Sequence, residues 1–547
     1  MKLKHGKLKH FVVAWVGICV GLVLLGQSVW GQNAAAPKHI GVPQGWSDRS
    51  IVFSLDGLEK YPNLMDQEPR IRQQVMQRFR ELAPDYFQGV DAMDASANGV
   101  THPRDWNVDF VRGQVAENMY PAKYSFNPGA PPDCTNDYVV FGLNVAGKTG
   151  KQANLIAFNN LYSGPGGLCG AAPTVLFAYN VTTASGGKVD LSPVISLDGT
   201  KIAFVESATG QAIFHVLPWV AGQGGISTAA APPANMTSLA YSTTATSTTS
   251  APWVDYTNDV AYVGADGGVM YRINGVFNST PVVAAGWPVT VSGGHKLTPP
   301  VLDSQLQVLL VGSANGNLYQ VDANTGALLV TVVGAAGKTS PGIIPPAVVD
   351  ITNGTTFVVD ANDGTSAVLV EFDTATLTQL AKARIGLGAS TKTALTLGQP
   401  AFSNDYYNNP STGQVRLCGT GAADTTPWQY AFGFTGRTMN TLAAFSQQLL
   451  TSTAAVCTNW TEFYNPNIGG GTDFFFFGLT QDCTGTGTLG CVVAATTEGG
   501  PLVTANVDGG PSGIVIDNYS TAGQASSIYL SEENGSLAYK FTQNGLQ

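Results

Sequence analysis

The sequence has little charge and little histidine. Charged residues make up 12% of the 547-residue chain, about half of the share in an average globular protein. Beyond residue 31 the histidines are His39, His102, His215 and His295. None has the histidine or carboxylate spacing of a zinc site. Zinc chemistry and histidine-based acid–base catalysis are therefore disfavoured, unless folding brings one of these histidines beside a carboxylate.

Long apolar runs are also scarce. The uncharged run from Phe11 to Leu25 is 15 residues long, whereas a membrane-spanning helix needs about 20. A lysine-rich start precedes this run, and Val29 and Gly31 stand after it at the −3 and −1 positions of a cleavage before Gln32. This pattern predicts that residues 1–31 are a secretory signal peptide, cleaved before Gln32, with an uncleaved anchor as the alternative. No integral membrane span is expected after its removal.

The chain beyond this segment is acidic. The segment contains four lysines and no acidic residue, which leaves 23 basic residues against 37 acidic ones and a net charge of −14. Nucleic-acid binding depends on Lys and Arg contacts to phosphates. A nucleic-acid partner is therefore not expected.

Cysteine never occurs in a C-x-x-C pair, which disfavours a structural metal site. Six cysteines remain beyond the signal segment, and an even number in an exported chain suggests disulfides. An extracellular or periplasmic location follows from this reasoning.

Glycine-containing hairpins are abundant instead. Residues 266–273 (DGGVMYRI) match residues 534–541 (NGSLAYKF) position by position, and residues 315–321 (NGNLYQV) repeat the phrase in shorter form. Asp-Gly and Asn-Gly between strand-like runs indicate tight hairpins, here expected to be type I′ turns. Their return along the chain at intervals of about 40–60 residues is typical of propeller blades.

Eight groups of strand-like runs follow residue 122. The sequence therefore predicts an all-β single β-propeller of eight blades, with seven as the alternative. The run Phe474–Phe477 is expected to bury alternate rings on both sides of one blade. The groups start near Asp137, Leu191, Ala251, Pro299, Pro345, Gly398, Thr458 and Pro511.

The last group contains only three strands, at 513–517, 527–531 and 537–542. An incomplete blade would leave an open edge. We expect residues 122–126 to supply the missing strand, so that the propeller spans residues 122–547 and is closed by strand 122–126 pairing with the last blade.

Residues 32–121 are expected to form an N-terminal arm with one amphipathic helix at 68–82. Apolar residues recur there at helical spacing, Pro69 suits the first turn and Pro84 ends the run. The helix could pack on the propeller or dock a partner.

Six cysteines allow 15 connectivities, and the positions favour the first of the following pairs most. The candidate pairs are Cys483 with Cys491 across a hairpin loop, Cys134 with Cys169 around the first blade, and Cys418 with Cys457 between two neighbouring blades.

Residues 311–326 (VGSANGNLYQVDANTG) resemble the repeat of the bacterial PQQ-like, quinoprotein-type β-propellers. That superfamily contains dehydrogenases and also non-enzymatic scaffolds for outer-membrane assembly. Its dehydrogenases typically end the repeat with a Trp, where this chain has Thr331-Val332-Val333, and many carry adjacent cysteines, which are lacking here. The resemblance thus implies the fold, while PQQ and other cofactors are not expected.

Two acidic segments could offer oxygens to a cation. Residues 360–364 (DANDG) resemble a calcium loop, but their Gly comes at the fifth position and not the sixth. Asp255 and Asp259 flank a second candidate. Both segments are also ordinary turn sequences, and no metal site is expected.

The function expected from these observations is an exported, non-enzymatic binding or scaffold module that takes a protein or glycan ligand on a propeller face. The alternative is a propeller enzyme, a hydrolase, lyase or oxidoreductase, with an acidic site at the channel mouth. Its catalytic residues cannot be named from the sequence.

Overall fold

The computed structural model describes residues 43–45, 51–53, 104–125, 132–334, 342–388, 398–421, 423–449, 455–465, 471–481, 483, 489–496, 502–518, 524 and 526–543. All of them belong to one compact unit, His39–Gln547. They form eight sheets, antiparallel except for one strand pair, with very little helix, and the predicted eight-bladed propeller is confirmed. The predicted signal peptide and the helix at 68–82 lie outside the described residues. Within them, no helix has the length and apolar content needed to cross a membrane.

Three N-terminal strands join sheets that are formed mainly by later parts of the chain. They are β1 (Pro43–Gln44), β2 (Ile51–Phe53) and β3 (Arg104–Asp109).

Blades 1 to 4 follow in chain order, each built from consecutive hairpins. From the innermost strand outward, blade 1 has β4 (Ala122–Ser125), β5 (Tyr138–Gly142), β6 (Leu155–Asn159) and β7 (Thr174–Tyr179); blade 2 has β8 (Val194–Ile195), β9 (Lys201–Ala208), β10 (Gln211–Pro218) and β11 (Thr237–Ser242); blade 3 has β12 (Trp253–Asp255), β13 (Val260–Ala265) and β14 (Val269–Asn274), with both β15 (Val282–Val283) and β16 (Val289–Thr290) paired to β14; blade 4 has β17 (Val301–Asp303), β18 (Val308–Gly312), β19 (Asn317–Asp322) and β20 (Leu328–Val332).

Blades 5 to 8 repeat this plan. Blade 5 has β21 (Val348–Asp350), β22 (Thr355–Asp360), β23 (Val368–Asp373) and β24 (Gln379–Arg384); blade 6 has β25 (Ala401–Phe402), β26 (Gln414–Gly419) and β27 (Trp428–Thr435), with both β28 (Thr438–Met439) and β29 (Phe445–Gln448) paired to β27, and with helix α1 (Asn404–Asn408) and a 3-10 turn (Pro410–Thr412) after β25; blade 7 has β30 (Thr461–Asn465), β31 (Thr472–Leu479), β32 (Gly490–Ala495) and β33 (Val503–Val507); blade 8 has β34 (Val515–Asn518), β35 (Ser526–Ser531) and β36 (Leu537–Thr542).

The first strand of each blade lies nearest the axis of the ring. Neighbouring first strands lie side by side, as β12 does with β17, β17 with β21, and β30 with β34. The ring closes where β34 of blade 8 lies beside β4 of blade 1.

The closing strand differs from the sequence-based expectation. Strand β4 does not complete the last blade; it pairs with β5 and is the innermost strand of blade 1. The fourth strand of blade 8 is β3, which pairs antiparallel with β36 from Arg104 opposite Phe541 to Asp109 opposite Leu537. The sheet of the propeller thus begins before residue 122. The open edge of β36 is covered by an N-terminal segment as expected, but by a different one.

The hairpin turns also differ in detail from the predicted type I′ geometry. Ala265 is paired with Val269, which leaves a three-residue loop, and the positive φ (75°) is at Gly268. Gly316 (φ 79°) has the same position in the equivalent hairpin of blade 4. A three-residue loop with glycine in the left-handed region is the next most common hairpin connection. The recurring phrase therefore marks the hairpins correctly but not their turn type.

The core lies between the blades. Phe474 and Phe476 pack towards blade 8, in one cluster with Ile528, whereas Phe475 and Phe477 pack towards blade 6, in one cluster with Cys418. This agrees with the expected burial of alternate rings. Because successive side chains of a strand point to opposite faces, one uncharged run can fill both gaps beside blade 7.

Candidate functional site

The inner edges of two blades are occupied by the N-terminal part of the chain itself. Strand β1 pairs antiparallel with β21, the innermost strand of blade 5. Strand β2 pairs in parallel with β4, the innermost strand of blade 1. Blades 1 and 5 are four positions apart in a ring of eight. Strands β1 and β2 therefore lie at the centre of the propeller, where a ligand would enter the channel.

Gly45 follows β1 and approaches blade 6 closely. A Cβ atom at this position would lie 1.9 Å from Nε2 of Gln399, and Gln399 is buried. A larger residue at position 45 would require the Gln399 side chain to move. The end of β1 therefore lies against a second blade.

A buried ionic network joins blades 8 and 1. Nζ of Lys123 on β4 lies 2.7 Å from a carboxylate oxygen of Asp517 on β34, and neither side chain is exposed. Lys123 also donates to the hydroxyl groups of Ser125 and Tyr162. The Tyr162 hydroxyl in turn donates to Asp137 at 2.6 Å. Burial raises the pKa of Asp517, and the positive charge of Lys123 opposes that rise.

A second buried pair stabilises the closing strand. Nζ of Lys540 on β36 lies 2.5 Å from the carboxylate of Asp105 on β3, and Thr542 donates to the same oxygen at 2.7 Å. Burial lowers the pKa of Lys540, whereas Asp105 favours its charged form. Charges that are removed from water in this way need their partners. Both ionic clusters therefore stabilise the closure of the ring, and neither is exposed to a substrate.

The acidic segments considered as cation ligands form turns. Asp255 accepts the backbone N–H groups of Thr257 and Asn258, and Asp259 accepts those of Phe277 and Asn278. These bonds use the carboxylates as turn-forming acceptors.

The segment at residues 360–364 has the same character. Asp360 accepts the N–H of Asn362 at 2.7 Å, and burial raises its pKa to about 6. Asp363 accepts the N–H groups of Thr365 and Ser366 and forms an ion pair with Lys382 at 2.9 Å. The lysine and these hydrogen bonds outweigh burial and lower the pKa of Asp363. The hydrogen bonding is that of an inter-strand turn.

One histidine lies beside a carboxylate. Nε2 of His215 on β10 is 2.9 Å from Glu206 on β9, and Nδ1 of the same ring is 2.9 Å from the hydroxyl of Ser238 on β11. Both His215 and Glu206 are fully buried, while Ser238 is exposed on the outermost strand of blade 2. The Phe204 ring stacks on the imidazole with centroids 5.1 Å apart.

Glu206 is held as a carboxylate. Burial acts to raise its pKa, but hydrogen bonds from His215, Thr183 and Ala184 outweigh burial and lower the pKa. A carboxylate, an imidazole and a serine hydroxyl in series have the connectivity of a hydrolytic triad. The ring is reversed, however, because Nδ1 and not Nε2 faces the serine.

The sequence held a signal for this cluster. Thr209 and Gly210 form the turn between β9 and β10, with Ala208 opposite Gln211. That register places Glu206 opposite Ile213 and Phe204 opposite His215. All four side chains then share one face of the sheet. Reading the hairpin register, and not only residue spacing, would have brought His215 and Glu206 together. His295 is half-buried in a turn of blade 3; His39 and His102 lie outside the described residues.

The structure joins the three cysteine pairs favoured by the sequence. Cys134 and Cys169 have Cα atoms 5.4 Å apart, Cys418 and Cys457 6.0 Å, and Cys483 and Cys491 5.9 Å. The first links two loops of blade 1. The second connects β26 of blade 6 to the segment before β30, and the third lies within blade 7. The disulfide of Cys418 therefore joins neighbouring blades covalently.

No protein-family model matches the chain, and the comparison with curated proteins found no relative. Among solved structures, BamB from Moraxella catarrhalis is 15% identical, with a TM-score of 0.42, over 81% of this chain and 100% of the other. The WD40 domain of Toxoplasma gondii coronin is 11% identical (TM-score 0.41), over 83% and 88% of the two chains. The C-terminal WD40 domain of Sif2 is 8% identical (TM-score 0.46), over 81% and 98%. The similarities do not assign the chain to a family.

Proposed function

We propose that the protein is an exported, non-enzymatic binding or scaffold module that takes a protein or glycan partner on its outer surface. The observation that carries the proposal is the position of β1 and β2 on the inner edges of blades 5 and 1. An acidic enzyme site at the channel mouth would have to share that space with the chain itself. The faces and the perimeter remain for recognition.

Export to the cell envelope or the extracellular space is part of this proposal. It is supported by the signal-like segment at residues 1–31 and by three disulfides, which persist in oxidising compartments. The resemblance of residues 311–326 to the PQQ-like repeat is compatible with a scaffold role, since that superfamily contains scaffolds.

The test is affinity capture with the mature protein, beginning at Gln32. Immobilised protein is incubated with a cell-envelope extract, and the same protein is titrated with PQQ. We expect a discrete partner to be retained and no PQQ binding. A variant lacking residues 68–82 tests whether the predicted helix contributes to capture. Micromolar PQQ binding with dye-linked alcohol oxidation would overturn the proposal.

A hydrolase centred on Ser238 is the second candidate, and it is favoured by the Ser238–His215–Glu206 arrangement alone. A fluorophosphonate probe distinguishes the two functions, because it labels only an activated serine. If the protein is a binding module, the probe should label the native protein no more than it labels Ser238→Ala. Stoichiometric labelling that is lost in Ser238→Ala would establish the hydrolase instead.

A further inference from the structure

The outer strand of blade 4 is unusually apolar and exposed. On β20 the exposed fractions are 45% for Leu328, 40% for Leu329, 52% for Val330 and 53% for Val332. The strand pairs with β19 in an unbroken register from Asn317 opposite Val332 to Val321 opposite Leu328. Within the described part of the chain, no strand pairs with its other edge. Long, regular and apolar edge strands of this kind attract another strand.

Three other blades protect their outer edges. Strand β24 of blade 5 carries Lys382 and Arg384, and β3 of blade 8 begins with Arg104. Strand β7 of blade 1 is bridged by a loop, with Phe177 opposite Gln223. Charges, bulges and covering loops are the usual means by which proteins prevent edge pairing. Blade 4 uses none of these along β20.

The backbone of β20 offers hydrogen-bonding groups on its outer side. At the start of the hairpin the N–H of Asp322 donates to the carbonyl of Ala327, and at its end the N–H of Val333 donates to Gly316. Bonding alternates along an antiparallel strand. Residues 327, 329, 331 and 333 therefore bond to β19, and the N–H and C=O groups of Leu328, Val330 and Val332 point away from the blade.

We propose that β20 pairs antiparallel with β20 of a second copy of this chain, on a two-fold axis at Val330. Val330 then lies opposite its own copy, and Leu328 lies opposite Val332. The outward N–H and C=O groups of Leu328, Val330 and Val332 then form hydrogen bonds with those of the second copy. The side chains of these three residues share one face of the joined sheet, and every cross-strand pair on that face is apolar. The sheets of two blades thereby continue into one another, in an isologous contact.

The charge distribution favours this strand as the place of self-association. The mature chain carries a net charge of −14, so most surfaces of two copies repel each other. The fifteen residues 323–337 contain no charged side chain. Like charges directly opposite each other destabilise a strand pair. Two copies that meet along β20 bring no such charges together.

The experiment is sedimentation equilibrium of the mature protein from low micromolar to several hundred micromolar concentration. We expect a reversible dimer. Val330→Lys places two positive charges opposite each other at the axis, and Val330→Pro removes one outward N–H without removing a bond to β19. Each variant is expected to raise the dissociation constant of the dimer about tenfold or more. A tenfold change corresponds to only about 1.4 kcal/mol of association free energy.

The matched control is Thr504→Lys, which adds the same charge to an exposed position on β33, the outer strand of blade 7. It should dimerise like the wild type, and near-ultraviolet circular dichroism should show that all variants are folded. A wild-type protein that stays monomeric throughout would overturn the proposal, as would a dimer that survives both substitutions at Val330. Envelope capture is measured separately, so failure here leaves the proposed function standing.

Discussion

Ring closure by the N-terminal segment is tested at Phe110, the residue after β3. Its side chain is completely buried, and its ring lies 5.5 Å from Phe141 and 6.2 Å from Phe158, both in blade 1. Its backbone N–H donates to Ser536 of blade 8 at 2.7 Å. Phe110 therefore connects the last blade with the first. Substitution by alanine should remove this connection without altering the strand ladder.

The expected loss of stability in Phe110→Ala follows from the size of the buried ring. Replacement of a buried Phe by Ala costs about 3–5 kcal/mol, because both transfer energy and a cavity are involved. Phe110→Ala should lower the free energy of unfolding by this amount in urea denaturation followed by tryptophan fluorescence. Amide hydrogen exchange should also accelerate in residues 104–120, since the closing strand opens more readily.

The control is Leu442→Ala, at a side chain that is 82% exposed, for which a change within about 0.5 kcal/mol is expected. A double-mutant cycle of Phe110 with Phe141 should give a coupling of about 0.5–1.5 kcal/mol for the ring pair. Loss of less than about 1 kcal/mol in Phe110→Ala, with unchanged exchange in residues 104–120, would refute closure by this segment.

Two further predictions concern buried charges. Burial raises the pKa of Glu371 from 4.5 to about 7, even though its carboxylate accepts the N–H of Met439 at 2.7 Å. The folded state therefore binds this proton more tightly than the unfolded state does. The free energy of unfolding should fall as pH rises from about 4.5 to 7, by at most about 3 kcal/mol. Urea midpoints at pH 5 and 8 should show a smaller pH dependence in Glu371→Gln, and parallel profiles would contradict this. Lys123→Met leaves the buried Asp517 carboxylate without its cationic partner, which should cost about 3–5 kcal/mol. Lys123→Met/Asp517→Leu should recover much of that loss in the same assay, and a double variant as unstable as the single one would argue against the pair.

The sequence alone determined the repeating part of this protein. Glycine-containing hairpins between strand-like runs predict eight blades, with seven as the alternative, because turn chemistry and strand periodicity are local properties. The alternating burial of Phe474–Phe477 follows from the two-residue period of a strand. The pair of Cys483 and Cys491 is local in the same way, because it spans a single hairpin loop. Six cysteines allow 15 connectivities, and the structure selects the other two pairs.

Only the tertiary structure decided which segment closes the ring. Strand β3 and β36 are paired although more than four hundred residues separate them, and β4 has an equally strand-like sequence. No local pattern tells the two apart, because the choice depends on which edge each strand reaches after the blades have packed. Strands β1 and β2 are two and three residues long, too short for any periodic signal.

The same reason explains the two surfaces that the sequence did not reveal. Leu328 to Val332 has the composition of a buried strand, yet it is exposed because it is last in its sheet, and strand order is a property of the whole blade. His215 and Glu206 meet because hairpin register places them on one face, whereas linear spacing does not suggest a pair. Composition and turn residues thus define the blades, while the position of each side chain relative to solvent and to distant partners is set by their packing into a ring.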